Sequence, residues 1–143
     1  MTESIPSRVH TLYWEHDFNC ATTTLICLGE LFRTPIQPQT LAAAVGMHGA
    51  GGFRAQCGLV EGALMFIGIY LSEQKKSASE AAALCHDFAE AFTTRFGSLQ
   101  CRDLRPGGFQ ESDPPHACEA LTAAAIDFSY RFIQSKLGLS ETP

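Results

Sequence analysis

The segment from Cys57 to Ser72 limits the fold more than any other part of the chain. It is apolar almost all round, is interrupted by one carboxylate (Glu61), and contains glycines at 58, 62 and 68. A helix that is apolar on every side must be covered on every side, so this one belongs at the centre of the domain. Helix glycines cost about 1 kcal/mol each relative to alanine. Three in one helix imply that other backbone packs very close. The uninterrupted run from Ala63 to Leu71 is too short to span a bilayer, which takes roughly 20 residues.

Helical signals dominate the rest, and no period-2 strand pattern is visible. Asp17 or Asn19 can cap a helix reaching Phe32, with Leu25, Leu28 and Phe32 as its apolar stripe. Thr34 to Pro38 breaks it, and a short helix follows from about Pro38 to Val45. Gly46 to Gly52 is a glycine-rich break. Ser77 with Glu80 three residues on reads as a capping box, and Ala81, Cys85, Phe88, Phe92 and Phe96 form a stripe that ends at Gly97. Ser98 to Pro115 is a loop rich in Gly, Pro and Asp. The last helix is expected from about Pro114 to Leu137, with Cys118, Leu121, Ala125, Phe128 and Phe132 as a bundle seam. The expected fold is all-α: one domain over residues 1–143, its core about 17–137, built as a bundle of about five helices around a buried apolar central helix.

Charged residues make up 17% of the 143, against a usual figure of about 25%. So little charge leaves apolar surface for a partner, and a homodimer is expected. The formal net charge is −5 and the ten basic residues are scattered, with Lys75-Lys76 the longest run. That pattern argues against nucleic acid. Met1 to His16 contains no apolar stretch like a signal peptide. The expectation is a cytoplasmic protein without a membrane span, in a compartment that keeps thiols reduced.

Six cysteines therefore matter. None forms a C-x-x-C pair, and full pairing would allow 15 connectivities. Cys20, Cys57 and Cys118 stand where helices begin, where backbone N–H groups and the helix dipole favour a thiolate. Cys57 is the sharpest candidate nucleophile, with Arg54 nearby in sequence. Cys101 lies in a loop beside Arg102, another setting expected to favour the thiolate. Cys27 and Cys85 lie inside amphipathic helices and read as core residues. Glu61 reads as a salt-bridge partner of Arg54 or Arg102 or an interface residue, with proton transfer to a thiol as the other reading. His48 in the glycine-rich turn could act as base or ligand, although a lone loop histidine is usually solvated. His86 and His116 carry less. Covalent haem, HExxH zinc, P-loop, dinucleotide and GxSxG motifs are all missing, as are the close ligand pairs of a zinc finger.

Taken in order, Phe18-Asn19-Cys20-Ala21, the glycine-rich segment, Cys57-Gly58-Leu59-Val60-Glu61-Gly62-Ala63, Phe96-Gly97-Ser98-Leu99-Gln100-Cys101-Arg102-Asp103-Leu104, and Cys118 resemble the C_GCAxxG_C_C family. The resemblance runs from about Asp17 to Phe132. It implies redox activity and marks Cys20, Cys57, Cys101 and Cys118 as the family cysteines. Leu59 and Glu61 depart from the family pattern, which usually has alanine and a small or hydroxyl residue there. Related domains are fused to haem-bearing regions in split-Soret cytochromes, so the resemblance also admits a four-cysteine iron centre. Three readings stand open. The first is a thiol redox protein, a thiol/disulfide oxidoreductase or electron-transfer protein, with Cys57 reactive, Cys20, Cys101 or Cys118 resolving, and a redox partner protein. The second is a module in which the same four thiolates hold an iron–sulfur cluster or zinc. The third is a helical interaction protein with inert thiols.

Overall fold

The computed structural model describes residues 2–105 and 107–139. Met1 and residues 140–143 of the expected domain, and Pro106 of the expected loop, lie outside the described residues. The described chain is all-α, with helices α1 (Ile5–Trp14), α2 (Cys20–Leu31), α3 (Pro38–Ala43), α4 (Gly58–Glu73), α5 (Ala78–Phe96), α6 (Cys101–Leu104) and α7 (Glu119–Leu137). Two of these, α1 and α6, raise the count above the expected five.

Helix α4 is the central element, packed against α2, α5 and α7. Its Val60, Ala63 and Phe66 are fully buried. The close backbone approach implied by its glycines is present at two of the three. A Cβ on Gly62 would come 2.7 Å from the Ala21 carbonyl oxygen, and one on Gly58 would collide with Cys20 Sγ and lie 2.8 Å from the Met47 oxygen. Around Gly68 nothing comes within 4 Å, so the expectation fails there.

Helix α5 starts and stops as its caps dictate. The Ser77 hydroxyl accepts from the Glu80 N–H, and Gly97 closes the helix at φ 94°. Phe88, Phe92 and Phe96 reach across to Phe128 and Phe132 of α7, with ring centroids 4.5–6.2 Å apart within this group. Helix α7 begins at Glu119, five residues later than Pro114, because residues 115–118 form turns with His116 at φ 59°. Its buried face is Thr122, Ala125, Ile126, Ser129 and Ile133, rotated from the expected seam. Leu121, Phe128 and Phe132 are only partly buried at its flank.

Helix α1 carries the signals of a helix start: Ser4 as N-cap and a proline in the first turn. Val9, Leu12 and Tyr13 bury its inner face. Arg8 pairs with Glu30 of α2 at 2.8 Å. At its other end, Trp14 Nε1 donates to Glu119 at 2.6 Å, and Glu119 also meets His10 at 3.0 Å. No described helix is long and apolar enough to cross a membrane.

Candidate functional site

Four elements deliver Cys20, Cys57, Cys101 and Cys118 to one end of the bundle. Cys20 is the first residue of α2, whose N-cap Asn19 accepts from the Thr22 N–H at 2.8 Å. The Asn19 side-chain amide also donates to the carbonyls of Ala44 and Val45 and contacts His48 Nδ1 at 3.2 Å. His48 thus belongs to the scaffold that fixes the start of α2. Cys57 is the N-cap of α4. One antiparallel bridge, Gln56 to Gln100, joins the two chain segments that precede α4 and α6. In it the Cys57 N–H donates to Leu99 at 2.8 Å and the Cys101 N–H to Ala55 at 2.7 Å. Cys57 and Cys101 therefore each stand one residue beyond the bridge. Gly49 makes room for this crossing: at φ +70° its Cα lies where a Cβ would come 3.3 Å from the backbone of Arg54 and from Cys101 Cβ. Cys118 is the N-cap of α7.

The sulfurs lie near enough to sense one another. Burial first, then the charges of Cys57, Cys101 and Cys118, push the Cys20 thiol up to about 12. Cys57 is 6% exposed. Its burial outweighs the N–H groups of Leu59 and Val60, and its thiol is pushed up to about 11. Cys20, Cys57 and Cys118 do stand at helix starts, and Cys101, expected in a loop, opens the short helix α6; at Cys57 the amides do favour the thiolate. Desolvation is larger, however, so the expectation of preformed thiolates is corrected for all four. The arginines that favour ionisation of Cys101 are Arg105 and Arg54, not the adjacent Arg102, which is exposed.

Arg105 gave no sequence signal beyond its place in a Gly/Pro loop. It lies one turn after Cys101, whose carbonyl accepts the Arg105 N–H at 3.1 Å. Its guanidinium pairs with Asp113 at 3.0 Å and lies 4.6 Å from the Phe109 ring centroid, and its positive charge favours ionisation of Cys118. Arg54 lies 4.1 Å from the same ring centroid.

Tyr13 was also missed, and His116 was given little weight. Tyr13 is 3% exposed, hydrogen-bonds to Thr122 at 2.6 Å, and neighbours Cys20, Cys118 and Cys57. Burial raises its phenol. The His116 ring stacks on it at 4.7 Å. The apolar spacing Ile5, Val9, Leu12 behind a Ser4 cap was the signal for α1, and hence for Tyr13.

Other expected residues fall elsewhere. Glu61 forms no ion pair with Arg54 or Arg102 among the described residues; it accepts from the Gln56 side chain. Cys27 is fully buried, as a core residue should be, and Cys85 is half-buried with its thiol 3.8 Å from the Leu64 oxygen. His86 is exposed beside Asp87. All six cysteines are free. Among the described residues no group of three or more His, Cys, Asp or Glu side chains is arranged to hold a metal ion. Four thiols are a suitable donor set for zinc or an iron–sulfur cluster, but they do not form a ligand cage in this geometry.

Fold and site together define a small helical protein that gathers free thiols at one end of its bundle. Residues 18–132 match the family described as "Putative redox-active protein (C_GCAxxG_C_C)", and the chain belongs to that family. No curated protein and no solved structure matches it.

Proposed function

We propose that this protein is a thiol–disulfide redox protein whose working groups are Cys20, Cys57, Cys101 and Cys118. The convergence of these four thiols from four separate elements carries the reading. A thiolate of the cluster attacks a disulfide of a partner protein. The sulfur–sulfur bond of the partner breaks, a mixed disulfide forms, and the departing sulfur takes a proton. A second cluster thiolate then attacks the mixed disulfide at the protein's own sulfur and releases the partner's other thiol. Two protein thiols are oxidised to one disulfide, and one partner disulfide is reduced to two thiols. The less buried Cys101 and Cys118 suit the attacking role better than Cys57, because reactivity follows access and thiolate fraction. A reducing cytoplasmic setting and a homodimer belong to the same reading; Val45 and Phe53, 71% and 79% exposed, supply apolar surface near the cluster for a protein contact.

The test is a free-thiol count, with peptide mapping and metal analysis, on protein purified without oxygen, before and after mild oxidation by diamide. The expected result is metal-free protein that loses cluster thiols in twos and regains them with dithiothreitol. Four thiols protected by a stoichiometric metal, or six that never change, would overturn the proposal.

A further inference from the structure

The four thiols are not equivalent in their surroundings. Cys20 lies against the α2–α4 crossing, under Gly58 and close to Tyr13, and Cys57 is nearly sealed. No cation counts among the main influences on either thiol. Cys101 and Cys118 are half-buried, as Cys20 is, but Arg105 follows Cys101 by one turn and its positive charge favours ionisation of both.

Arg105 is held in place from several directions. Asp113 takes one end of the guanidinium at 3.0 Å and is itself fixed by the Gln110 N–H, also at 3.0 Å. The Phe109 ring covers it, and its backbone is tied to Cys101. Among the described residues its Nε is nevertheless buried without a hydrogen-bond partner. A buried N–H left unmade costs about 1–3 kcal/mol, and Asp113 already meets the other end of the fork. A guanidinium oriented this firmly, with a donor to spare, is built to receive a negative charge.

We propose that Arg105 divides the cluster: its guanidinium, fixed by Asp113 and Phe109, holds the negative charge of a thiolate at Cys118 and Cys101 and makes that pair the reactive end, with Cys20 and Cys57 as the reserve. The proton of the ionising thiol passes to solvent, which reaches both residues. Arg105 is a positioning residue here, acting through the sulfurs. Arg54 adds a second positive charge on the Cys101 side, while Asp113 and the neighbouring thiols oppose ionisation. The inference rests on the redox reading for its purpose, but the order of ionisation can be measured without any redox turnover.

The experiment alkylates the reduced, metal-free full chain with iodoacetamide and follows each cysteine peptide by mass spectrometry across pH. Cys101 and Cys118 should react before Cys20 and Cys57. R105Q should slow both by about tenfold or more, because the nearby positive charge that favours the thiolate is gone, and move their pH profiles upward. R105K, which keeps the charge, should restore part of the rate, and the Cys57 rate should stay unchanged in both variants. Equal Cys118 and Cys101 rates in wild type and a folded R105Q would overturn the proposal. Should R105Q fail to fold, the wild-type order decides: Cys57 or Cys20 reacting first overturns it, and Cys101 and Cys118 reacting first supports it. Diamide oxidation of the same samples separates the two claims. Reversible disulfides without an Arg105 effect sink this inference alone, and an Arg105 effect without disulfides sinks the redox reading alone.

Discussion

Asp17 Oδ1 and His116 Nε2 lie 3.0 Å apart, and both residues hold φ in the left-handed region, at 53° and 59°. The contact joins the turn before Cys20 to the turn before Cys118. Because the Asp17 side chain is 90% exposed, this polar contact itself is worth no more than about 1 kcal/mol. The greater part of the junction is the imidazole, stacked on Tyr13 at 4.7 Å and edge-on to Trp14 at 5.1 Å.

Substituting the two residues should therefore give unequal results. H116A is expected to cost about 1–2 kcal/mol, chiefly from lost ring contacts, and D17A less than about 1 kcal/mol. Urea unfolding of both single variants and the double variant measures this. A coupling as large as the whole H116A effect would contradict the division.

The glycines of α4 offer a second contrast. G62A should destabilise by about 1–3 kcal/mol, because its methyl meets the Ala21 carbonyl and α2 has to shift. G68A has open space and should stabilise by up to about 1 kcal/mol through helix propensity. Thermal unfolding of the pair, with midpoints moving in opposite directions, checks the packing of the central helix.

Much of this packing was legible in the sequence, for reasons that differ from element to element. Ser77 and Gly97 bound α5 because caps are local chemistry, and the all-round apolar character of Cys57–Ser72 needs only counting. The glycine argument held at 58 and 62, yet no local pattern separates those positions from 68. The start of α7 was misplaced because two prolines and a histidine can open a helix or stand before it. Cys20, Cys57 and Cys118 fall at helix starts as expected, whereas Cys101, expected in a loop, opens α6; a helix start is visible in sequence, but the desolvation that opposes ionisation depends on what α1 and the 98–118 segment bring alongside. Arg105 follows the same logic. Its significance comes from Asp113, Phe109 and Cys118, and that arrangement exists only after folding.

Alkaline pH should weaken the fold through these thiols. Cys20 and Cys57 keep their protons in the folded state up to about 12 and about 11, against an ordinary 9.0. The unfolded chain therefore binds fewer protons between those values. The stabilisation is complete below pH 9 and is lost as pH rises through the folded values. Urea midpoints should fall steadily above pH 9, and the fall should be shallower in C20A and C57A.

The aromatic layer joining α5 to α7 should be the most costly to remove. Phe92 is fully buried and touches Phe88, Phe96 and Phe128. F92A is expected to lose about 3–5 kcal/mol, measured by chemical denaturation. A loss below about 1 kcal/mol would mean that the two helices do not depend on this layer.

The N-cap position of Cys118 has a consequence for biosynthesis. Cys20 and Cys57 lie in the paired helices α2 and α4, which can dock as soon as both have left the ribosome. Cys118 arrives with the last helix, and the partners of that helix include α1 from the opposite end of the chain. Until α7 docks, Tyr13 and Trp14 have no cover from Thr122 and Glu119. A nascent chain therefore brings Cys20 and Cys57 together before Cys118 arrives, and the four-thiol cluster is complete only once α7 has docked.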